Sequence, residues 1–249
     1  MKFFGIIPAR YASTRFPGKP LIEINGKTMV QRVYEQASKA KQLSKVLVAT
    51  DDDRIYKHVL SFGGNAVITN EQHPSGTDRC YEAACITSIN EEDVVVNIQG
   101  DEPFISPLQI DLLCACFTSA NVAIATLVKR INSTQELESN STPKVIRNTA
   151  GEAIYFSRSP IPYFRGSMLE DWWKQTDYFK HIGIYGYRMK TLAELTKLTQ
   201  SKLELAESLE QLRWIENGYK IQTAITEIES IAIDTPEDLL KLTELKKHP

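Results

Sequence analysis

The first loop of the chain concentrates positive charge. The segment ARYASTRFPGKPL, residues 9–21, contains Arg10, Arg15 and Lys19 directly after the short apolar run FFGIIP, and it contains no acidic residue. Guanidinium and ammonium groups neutralise phosphate oxygens, and the backbone N–H groups of a loop with a glycine can donate to the same oxygens. The three cations can therefore hold a triphosphate. The alternative is an exposed basic loop that forms surface ion pairs worth about 0–1 kcal/mol each.

Two aspartates that are far apart in sequence are candidate ligands of a divalent cation. Asp101 follows the apolar run VVVNIQG, and Asp234 follows the apolar run SIAI. A carboxylate at the end of a buried strand supplies the hard oxygen ligands that Mg²⁺ prefers. Asp101 is the leading candidate, with a simple turn before Pro103 as the alternative. Helix capping explains Asp234 equally well, because Thr235 and Asp238 have the spacing of a capping box.

The triplet Asp51–Asp53 has the residue spacing of the DxD metal site of sugar-nucleotide glycosyltransferases. The same residues begin the predicted helix DDRIYKHVL, where acidic side chains are favoured by the helix dipole. We therefore expect Asp53 to cap this helix and Asp51 to lie near a bound nucleotide. A helix start is also predicted at SGTDR, where Ser75, Gly76 and Thr77 offer backbone and hydroxyl groups suited to a nucleobase edge or an anion.

Two motifs in the second half of the chain add polar candidates. The stretch SRSPIPYFR contains Arg158 and Arg165, and HIGIYGYR contains His181 and Tyr185. Strand alternation places His181 and Tyr185 on one face. A lone histidine is more often structural than functional, and only the aromatic and polar residues around this one favour a binding role.

The elements that must position these residues follow from periodicity. Apolar runs of strand length alternate with longer amphipathic stretches through the first half of the chain, and Val94, Val95 and Val96 form the continuous run typical of a strand buried on both faces. This is a βαβ series around a parallel sheet. In such sheets ligands bind at the carboxyl ends of the strands. The loops of interest are those after Pro8, Ala49, Thr69 and Ile98.

The second half of the chain changes character. The segment KVIRNTAGEAIYFS contains two short β-like runs around an Asn-Thr-Ala-Gly turn, which predicts an antiparallel addition to the sheet. We predict one α/β domain over residues 1–249, with a mostly parallel twisted sheet flanked by helices and this smaller antiparallel part. The region at about 131–190 is the predicted dimerisation subregion.

Bulk composition excludes several functional classes. The formal charge is -2, from 29 Lys plus Arg against 31 Asp plus Glu, so no basic field exists to attract nucleic acid. The apolar stretch that begins at Phe3 is too short for a signal sequence, and no run reaches membrane-spanning length. The 4 cysteines show no C-x-x-C pairing, which favours core thiols in a reducing compartment. We therefore expect a cytoplasmic protein without membrane insertion.

Seven separated motifs together resemble the 3-deoxy-manno-octulosonate cytidylyltransferases, the CMP-Kdo synthetases. They are, in order between about Phe3 and Leu245, ARYASTRFPGKPL, SGTDR, NIQGDEP, SRSPIPYFR, HIGIYGY, LEQLRWIENG and IDTPEDL. The resemblance implies a nucleotide-diphospho-sugar-transferase-like fold, a homodimer and Mg²⁺ as cofactor. It also implies cytidylyl transfer from CTP to 3-deoxy-D-manno-octulosonate (Kdo), which gives CMP-Kdo and pyrophosphate for lipopolysaccharide biosynthesis.

The resemblance also implies roles for individual positions. The CTP phosphates are assigned to Arg10, Ser13, Arg15 and Lys19. The magnesium ligands are assigned to Asp101 and Asp234, which complete a predicted catalytic set with Arg10 and Lys19. The sugar acid is assigned to Arg79, Gln99, Arg165, His181, Tyr185, Glu210 and Gln211. The resemblance therefore also makes the subregion at about 131–190 the sugar side of the domain.

Three alternatives to this function remain open from the sequence. The acceptor can be another ulosonic acid, such as 8-amino-Kdo or a sialic acid. A DxD-type glycosyltransferase would use Asp51–Asp53 and release no pyrophosphate, and a silent nucleotide-binding module would bind CTP without turnover. The segment GSMLEDWWKQTDYFK departs from the family pattern, and its Trp172 and Trp173 either cover the sugar pocket or pack against a partner subunit.

Overall fold

The structure is a computed structural model that describes residues 1–12, 16–233, 235 and 237–239. Its contacts divide the chain into two compact units. The first unit contains Met1–Asp111 and the described residues from Ser230 onward, and the second contains Leu112–Glu229. The strands are β1 (Phe3–Ala9), β2 (Glu23–Ile24), β3 (Lys27–Thr28), β4 (Leu43–Thr50), β5 (Ala66–Ile68), β6 (Val94–Asn97), β7 (Ile124–Arg130), β8 (Lys144–Arg147), β9 (Ala153–Ser157), β10 (Phe179–Arg188) and β11 (Ile221–Ile225).

Helices connect most of these strands. The α-helices are α1 (Met29–Ala37), α2 (Asp53–Ser61), α3 (Gly76–Ile86), α4 (Pro107–Ala115), α5 (Thr134–Glu138), α6 (Trp172–Gln175), α7 (Met189–Leu195), α8 (Lys202–Glu207) and α9 (Gln211–Glu216). Short 3-10 turns span Lys19–Leu21, Cys116–Thr118 and Leu169–Asp171. The predicted α/β class is confirmed: helices flank the strands, β1 pairs in parallel with β4 and β6, β4 with β5 and β7 with β11 are also parallel, and β2 and β3 form a small antiparallel sheet.

The sheet of the first unit has the strand order β6-β1-β4-β5, and all of its pairs are parallel. The valines Val94, Val95 and Val96 of β6 are completely buried, as their continuous apolar run predicts. Helix α1 buries Met29, Val30, Val33 and Ala37, the residues that recur at helical spacing, so its amphipathic pattern is also confirmed. The predicted βαβ series is therefore present in this unit.

Side-chain caps fix where three helices of the first unit begin. Thr28 accepts from the backbone N–H of Gln31 at the start of α1, and Ser75 accepts from the backbone N–H of Asp78 at the start of α3. The cap of α2 is Asp52, whose carboxylate accepts from the backbone N–H of Arg54. The prediction that Asp53 caps this helix is wrong by one residue, because Asp53 already lies within the first turn.

The second unit contains a mixed sheet. Strands β11 and β7 are parallel, whereas β7 with β10, β10 with β8, and β8 with β9 are antiparallel. Strands β8 and β9 form the hairpin predicted around the Asn-Thr-Ala-Gly turn, in which Gly151 has a φ of 79°. The antiparallel addition is therefore confirmed.

The stretch LAESLEQLRWIENG is divided between the helices α8 and α9. Helix α8 begins with a capping box of Ser201 and Glu204 and ends at Ser208, whose φ of 51° is left-handed. An L-residue in this conformation cannot continue a right-handed helix. The break separates α8 from α9, which begins at Gln211 and buries Trp214.

The two tryptophans of the segment GSMLEDWWKQTDYFK pack within the second unit itself. Trp172 is 7% exposed, belongs to a core cluster with Ile131, Leu137 and Tyr178, and donates from its indole Nε1 to the carbonyl of Ser167. Trp173 packs against the same cluster and donates to Thr134 Oγ1 at 3.2 Å. For Trp172 this packing differs from both roles predicted from sequence, whereas the role of the partly exposed Trp173 stays a prediction. Within the described residues, no helix is long and apolar enough to cross a membrane.

Candidate functional site

A cavity of about 430 Å³ lies in the first unit at the carboxyl ends of β1 and β6. Both strands end here because their apolar runs stop and give way to loops with polar side chains. The lining residues are Pro8, Ala9, Arg10, Ala12, Lys19, Pro20, Gly76, Arg79, Gln99, Gly100 and Asp101. The loop after β1, the N-terminus of α3 and the loop after β6 therefore meet at one opening.

Lys19 and Asp101 form an ion pair in this cavity. Lys19 Nζ lies 2.9 Å from Asp101 Oδ2, and the two side chains are 14% and 26% exposed. The backbone on either side of Lys19 fixes its position. Gly18 has a φ of 72°, and its N–H donates to the carbonyl of Tyr11. Pro20 then favours the 3-10 turn that begins at Lys19. One predicted phosphate ligand and one predicted metal ligand thus meet within hydrogen-bonding distance.

Arg10 lies at the opening of the cavity and is exposed. Its Nη1 lies 3.5 Å from the carbonyl oxygen of His73, on the loop that precedes α3. His73 in turn contacts Glu82 Oε2 at 2.5 Å, which joins this loop to the helix. Two further predicted phosphate ligands, Ser13 and Arg15, lie outside the described residues.

The N-terminus of α3 contributes backbone to the cavity. The hydroxyl of Ser75 donates to the Asp78 carboxylate at 2.6 Å and accepts from the Asp78 backbone N–H, and Thr77 is 3% exposed. Of the predicted nucleotide-binding trio, Gly76 alone lines the cavity. A Cβ at Gly76 would lie 3.3 Å from Pro8 Cγ, so the glycine lets helix and strand approach closely.

Gly100 lies even closer to its neighbour than Gly76 does, so that only a glycine fits at this position. A Cβ at this position would lie 2.8 Å from the backbone carbonyl oxygen of Pro8. Backbone cannot rotate away as a flexible side chain can, so a larger residue would push apart the loops after β1 and β6. Asp101 follows Gly100 directly, and its position therefore depends on this close approach.

Arg79 is a buried cation with fixed partners. Its side chain is 1% exposed, its Nη1 donates to Thr69 Oγ1 at 2.6 Å, and its Nη2 donates to Asp51 Oδ2 at 2.8 Å. Arg79 and Gln99 are the predicted sugar-binding residues that line the cavity. The Asp51–Asp53 triplet does not act as a unit, because Asp53 is 74% exposed and pairs with Lys57 at 3.4 Å.

Glu102 is a buried acid that the sequence analysis missed. It is 6% exposed, and its Oε2 has no hydrogen-bond partner among the described residues. Burial, with the nearby charge of Asp101 as a second cause, raises the pKa of Glu102 to about 7. An acid that directly follows a candidate metal ligand in GDEP was the available sequence signal.

The segment before Asp234 contacts the Asp101 loop. The backbone N–H of Ile233 donates to the carbonyl of Asp101 at 2.9 Å. Thr235 and Asp238 form the predicted capping box: the Thr235 N–H donates to Asp238 Oδ2 at 3.0 Å, and the Asp238 N–H donates to Thr235 Oγ1 at 3.3 Å. Asp234 itself lies outside the described residues.

The second unit contains a separate group of predicted sugar-binding residues. His181 Nε2 lies 2.9 Å from Thr126 Oγ1, and the His181 ring lies 5.1 Å from that of Tyr185. Burial lowers the pKa of His181 to about 3, so the imidazole is neutral at pH 7. Burial, with the charge of Glu210 as a second cause, raises the pKa of Tyr185 well above its usual value.

Several buried polar atoms in this group lack a hydrogen-bond partner within the described part of the chain. They are the Tyr185 hydroxyl, Gln211 Nε2 and Trp214 Nε1. Glu210 accepts from Arg213 Nη2 at 3.0 Å. Buried polar atoms are nearly always bonded, so such a cluster is typical of a place where water or a polar ligand binds.

The two arginines of SRSPIPYFR differ in environment. Arg158 Nε donates to the carbonyl of Glu207 at 2.7 Å, and its backbone N–H donates to the Glu207 carboxylate at 2.9 Å, so this arginine joins β9 to the end of α8. Arg165, the residue of this motif that is predicted to bind the sugar acid, is exposed. Arg158 is therefore structural, and the role of Arg165 stays a prediction.

The oxygen donors at the cavity are compatible with Mg²⁺. Within the described residues, no group of three or more His, Cys, Asp and Glu side chains is arranged to hold a metal ion. Mg²⁺ does not need such a group, because it usually binds through one or two carboxylates together with substrate phosphates and water. A partly exposed aspartate beside cations that can hold those phosphates meets this requirement.

Comparisons with known proteins agree on one family. The family model described as cytidylyltransferase matches residues 4–222. A 3-deoxy-manno-octulosonate cytidylyltransferase of Parabacteroides distasonis is 59% identical over 246 residues, which cover 97% of this chain and 96% of the relative. Another, from Thermodesulfovibrio yellowstonii, is 47% identical over 94% of each chain.

Solved structures resemble the chain over nearly its whole length. A CMP:2-keto-3-deoxy-manno-octonic acid synthetase complexed with CTP has a TM-score of 0.90 and 42% identity, with 99% of each chain covered. A 4-diphosphocytidyl-2C-methyl-D-erythritol synthase of Anaerococcus prevotii has a TM-score of 0.61 at 14% identity, which shows a shared fold alone.

Proposed function

Because the chain belongs to the cytidylyltransferase family, and to its 3-deoxy-manno-octulosonate members, we propose that it transfers a cytidylyl group from CTP to Kdo and releases pyrophosphate. The observation that carries this proposal is the cavity at the ends of β1 and β6, where Arg10, Lys19 and Asp101 meet. It combines cations that suit a triphosphate with a carboxylate that suits its metal ion.

The role of the cations is to hold the leaving group. Pyrophosphate and the sugar acid are both anionic, so the anomeric hydroxyl reaches the α-phosphorus only if the negative charge is neutralised and the reactants are held in line. Lys19 and Arg10 supply positive charge at the cavity. We propose that Arg15 of the same loop adds positive charge and that the hydroxyl of Ser13 donates a hydrogen bond to the phosphates. No covalent enzyme intermediate is needed.

We propose Asp101 and Asp234 as the Mg²⁺ ligands. The support is the hydrogen bond between Ile233, which precedes Asp234 by one residue, and the carbonyl of Asp101. Thr235 and Asp238 already cap the following helix, so capping is not needed to explain an acid at position 234. When bound, Mg²⁺ supplies charge neutralisation at the phosphates and a lower pKa for a coordinated hydroxyl.

We propose that the polar group of the second unit contributes to recognition of the sugar acid. The neutral imidazole of His181 can exchange hydrogen bonds with a hydroxyl but cannot form an ion pair with a carboxylate. The unpaired atoms of Tyr185, Gln211 and Trp214 are suited to the same kind of ligand, which is rich in hydroxyls. Carboxylate recognition is then a task for cations such as Arg79 or Arg165.

The decisive experiment is a pyrophosphate-release assay with CTP, Mg²⁺ and a panel of acceptors. We expect release with Kdo, much slower release with a sialic acid, and none without an acceptor. Parallel reactions with ATP, GTP and UTP test the nucleotide, and a reaction with EDTA tests the metal. Release with 8-amino-Kdo or sialic acid but not with Kdo would overturn the proposed acceptor, and full activity in EDTA would overturn the proposed cofactor.

Assembly and location complete the proposal. Ile154, Tyr163 and Met168 in the region 131–190 are 53%, 75% and 72% exposed, and exposed apolar residues are typical of subunit contacts. We therefore propose a homodimer, which light scattering can test.

All four cysteines are free thiols, which fits a reducing compartment, so we propose that CMP-Kdo for lipopolysaccharide is made in the cytoplasm.

A further inference from the structure

Asp52, the middle residue of the acidic triplet, is joined to Arg54 by two side-chain hydrogen bonds. Arg54 Nε donates to Asp52 Oδ1 at 2.9 Å, and Nη2 donates to Oδ2 at 2.6 Å. Such a bidentate pair fixes the plane of the guanidinium group and leaves its faces available for stacking. Asp52 is itself held, because its backbone N–H donates to Thr50 Oγ1 at 3.2 Å and its carboxylate caps α2. The guanidinium therefore has a defined orientation, although the Arg54 side chain is 59% exposed.

The guanidinium of Arg54 stacks on Tyr11, a residue of the loop after β1. Its Cζ atom lies 3.3 Å from the centre of the Tyr11 ring. An arginine this close to an aromatic ring is attracted by the negative charge of the ring face. Tyr11 follows Arg10 directly in the sequence. The start of α2 is therefore connected to the loop that carries the proposed phosphate ligands.

Tyr11 also closes this loop against Gly18. The backbone N–H of Gly18 donates to the Tyr11 carbonyl at 2.9 Å, and a Cβ at Gly18 would lie 3.3 Å from the Tyr11 hydroxyl oxygen. Both the backbone and the side chain of Tyr11 thus lie against Gly18. Because Arg10 precedes Tyr11 and Lys19 follows Gly18, this contact sets the separation of two cations that line the cavity.

The contacts of Tyr11 and Arg54 fix the loop without occupying the cavity. Neither residue is among the described residues that line it. Long side chains lose conformational freedom when they bind a ligand, and this cost is smaller when their positions are fixed beforehand. Arg10 and Lys19 are two such side chains, so a fixed loop favours their binding to a triphosphate.

We propose that Arg54 and Tyr11 are positioning residues for the triphosphate of CTP. Asp52 orients the guanidinium of Arg54 against the Tyr11 ring, and this stack holds the loop in the form that sets Arg10 and Lys19 at the spacing that the phosphates need. The inference rests on the proposed function, because Arg10 and Lys19 are assigned to the phosphates there. Asp52 neutralises the charge of Arg54, which therefore acts through Tyr11 and not as a further phosphate ligand.

The test compares CTP binding in six variants and the wild type. Arg54→Met removes the guanidinium, Tyr11→Leu removes the ring, and the double variant closes a mutant cycle. Tyr11→Phe keeps the ring, and Asp52→Asn keeps a good helix cap but removes the charge. Lys57→Ala, which removes an exposed cation of the same helix, is the matched control. Calorimetric titration of CTP into protein with Mg²⁺ but without Kdo gives the Kd independently of turnover.

We expect Arg54→Met and Tyr11→Leu each to raise the Kd for CTP by about 5-fold or more, because two long side chains lose their fixed positions. Asp52→Asn should also raise the Kd, and the double variant should bind no more weakly than the worse single one. Tyr11→Phe and Lys57→Ala should bind within about 2-fold of the wild type. The rate of pyrophosphate release at saturating CTP should stay within about 3-fold in every variant, because none of these side chains touches the reacting atoms.

Three results would overturn the inference. A lower melting temperature with a wild-type Kd in Arg54→Met and Tyr11→Leu would show a merely structural role. A raised Kd in Arg54→Met with a wild-type Kd in Tyr11→Leu, or additive losses in the double variant, would make Arg54 a direct phosphate ligand. Arg54 is exposed, so Arg54→Met should fold; if Tyr11→Leu does not, a wild-type Kd in Asp52→Asn overturns the inference in its place.

The outcomes also separate this inference from the proposed function. Wild-type protein that binds CTP but releases no pyrophosphate with Kdo would contradict the proposed acceptor and leave the comparison of Kd values valid. Wild-type protein that does not bind CTP would overturn both the proposed function and the inference.

Discussion

The ammonium group of Lys19 lies 2.9 Å from the carboxylate of Asp101, so a cation occupies one side of the carboxylate that is proposed to hold the metal ion. This pair joins the loop after β1 to the loop after β6. The opposite charges also keep both side chains directed into the cavity when substrate is absent.

Replacement of Asp101 by Asn should remove most of the activity. The change keeps the shape of the side chain but removes the charge, and loss of one preorganised electrostatic group typically lowers turnover by about 100-fold or more. The measurement is the rate of pyrophosphate release at saturating CTP and Mg²⁺. Asp53→Asn, which alters an exposed carboxylate of the acidic triplet, should keep the wild-type rate. Near-normal turnover in Asp101→Asn would remove this residue from the metal site.

Replacement of Lys19 by Ala should mainly weaken CTP binding. The lysine supplies one charged hydrogen-bond donor, and a contact of this kind is worth about 1.5–3 kcal/mol, or roughly 10- to 100-fold in the KM for CTP. Initial rates over a range of CTP concentrations give this value. Lys57→Ala removes a lysine that is 74% exposed and should change nothing. An unaltered CTP dependence in Lys19→Ala would contradict the assigned role.

Replacement of Gly100 by Ala should damage both stability and turnover. The new methyl group would lie 2.8 Å from the carbonyl oxygen of Pro8, and relief of this clash requires movement of the loop that carries Asp101. Overpacking of this kind typically costs about 1–3 kcal/mol. Urea unfolding measures the stability, and pyrophosphate release measures the activity. A variant with the wild-type unfolding midpoint and rate would show that the two loops can separate without cost.

His181 should make the stability of the protein depend on pH. Its folded-state pKa of about 3 lies below the ordinary value of 6.5, so between these values the unfolded chain binds a proton that the folded protein does not. This contribution is complete above pH 6.5 and is lost as the pH falls towards 3, by up to ~1.4 kcal/mol per pH unit. Urea unfolding between pH 7 and about 5 should show a steeper decline for the wild type than for His181→Gln. Equal slopes would contradict a buried neutral imidazole.

Local patterns in the sequence predicted much of the fold correctly. The valine run of β6, the amphipathic face of α1 and the capping box of Thr235 and Asp238 depend on neighbouring residues, and each is present. The sequence predicted Asp53 as the cap of α2, but the cap is Asp52. The two side chains are chemically identical, and only backbone geometry distinguishes them. Boundaries of this kind cannot be read from composition.

Long-range contacts account for what the sequence did not predict. The fit of Gly100 against Pro8 and the hydrogen bond of Ile233 with Asp101 join residues that are distant in the chain, and no local pattern signals either contact. Trp172 was expected at a ligand or a partner but fills its own unit's core, because its segment folds back on Leu137 and Tyr178. The chemistry of single residues was predictable here, and their neighbours were not.

The four cysteines differ enough in burial to offer a route to a spectroscopic reporter. Cys80 and Cys114 are buried, and burial raises the pKa of Cys116 to about 11, whereas Cys85 is exposed near the end of α3. A thiol-reactive dye should therefore attach selectively to Cys85 at neutral pH, since the thiolate is the reactive form. Helix α3 begins at the cavity with Gly76. The fluorescence of a dye on Cys85 can therefore report nucleotide binding directly, without an enzyme-coupled assay.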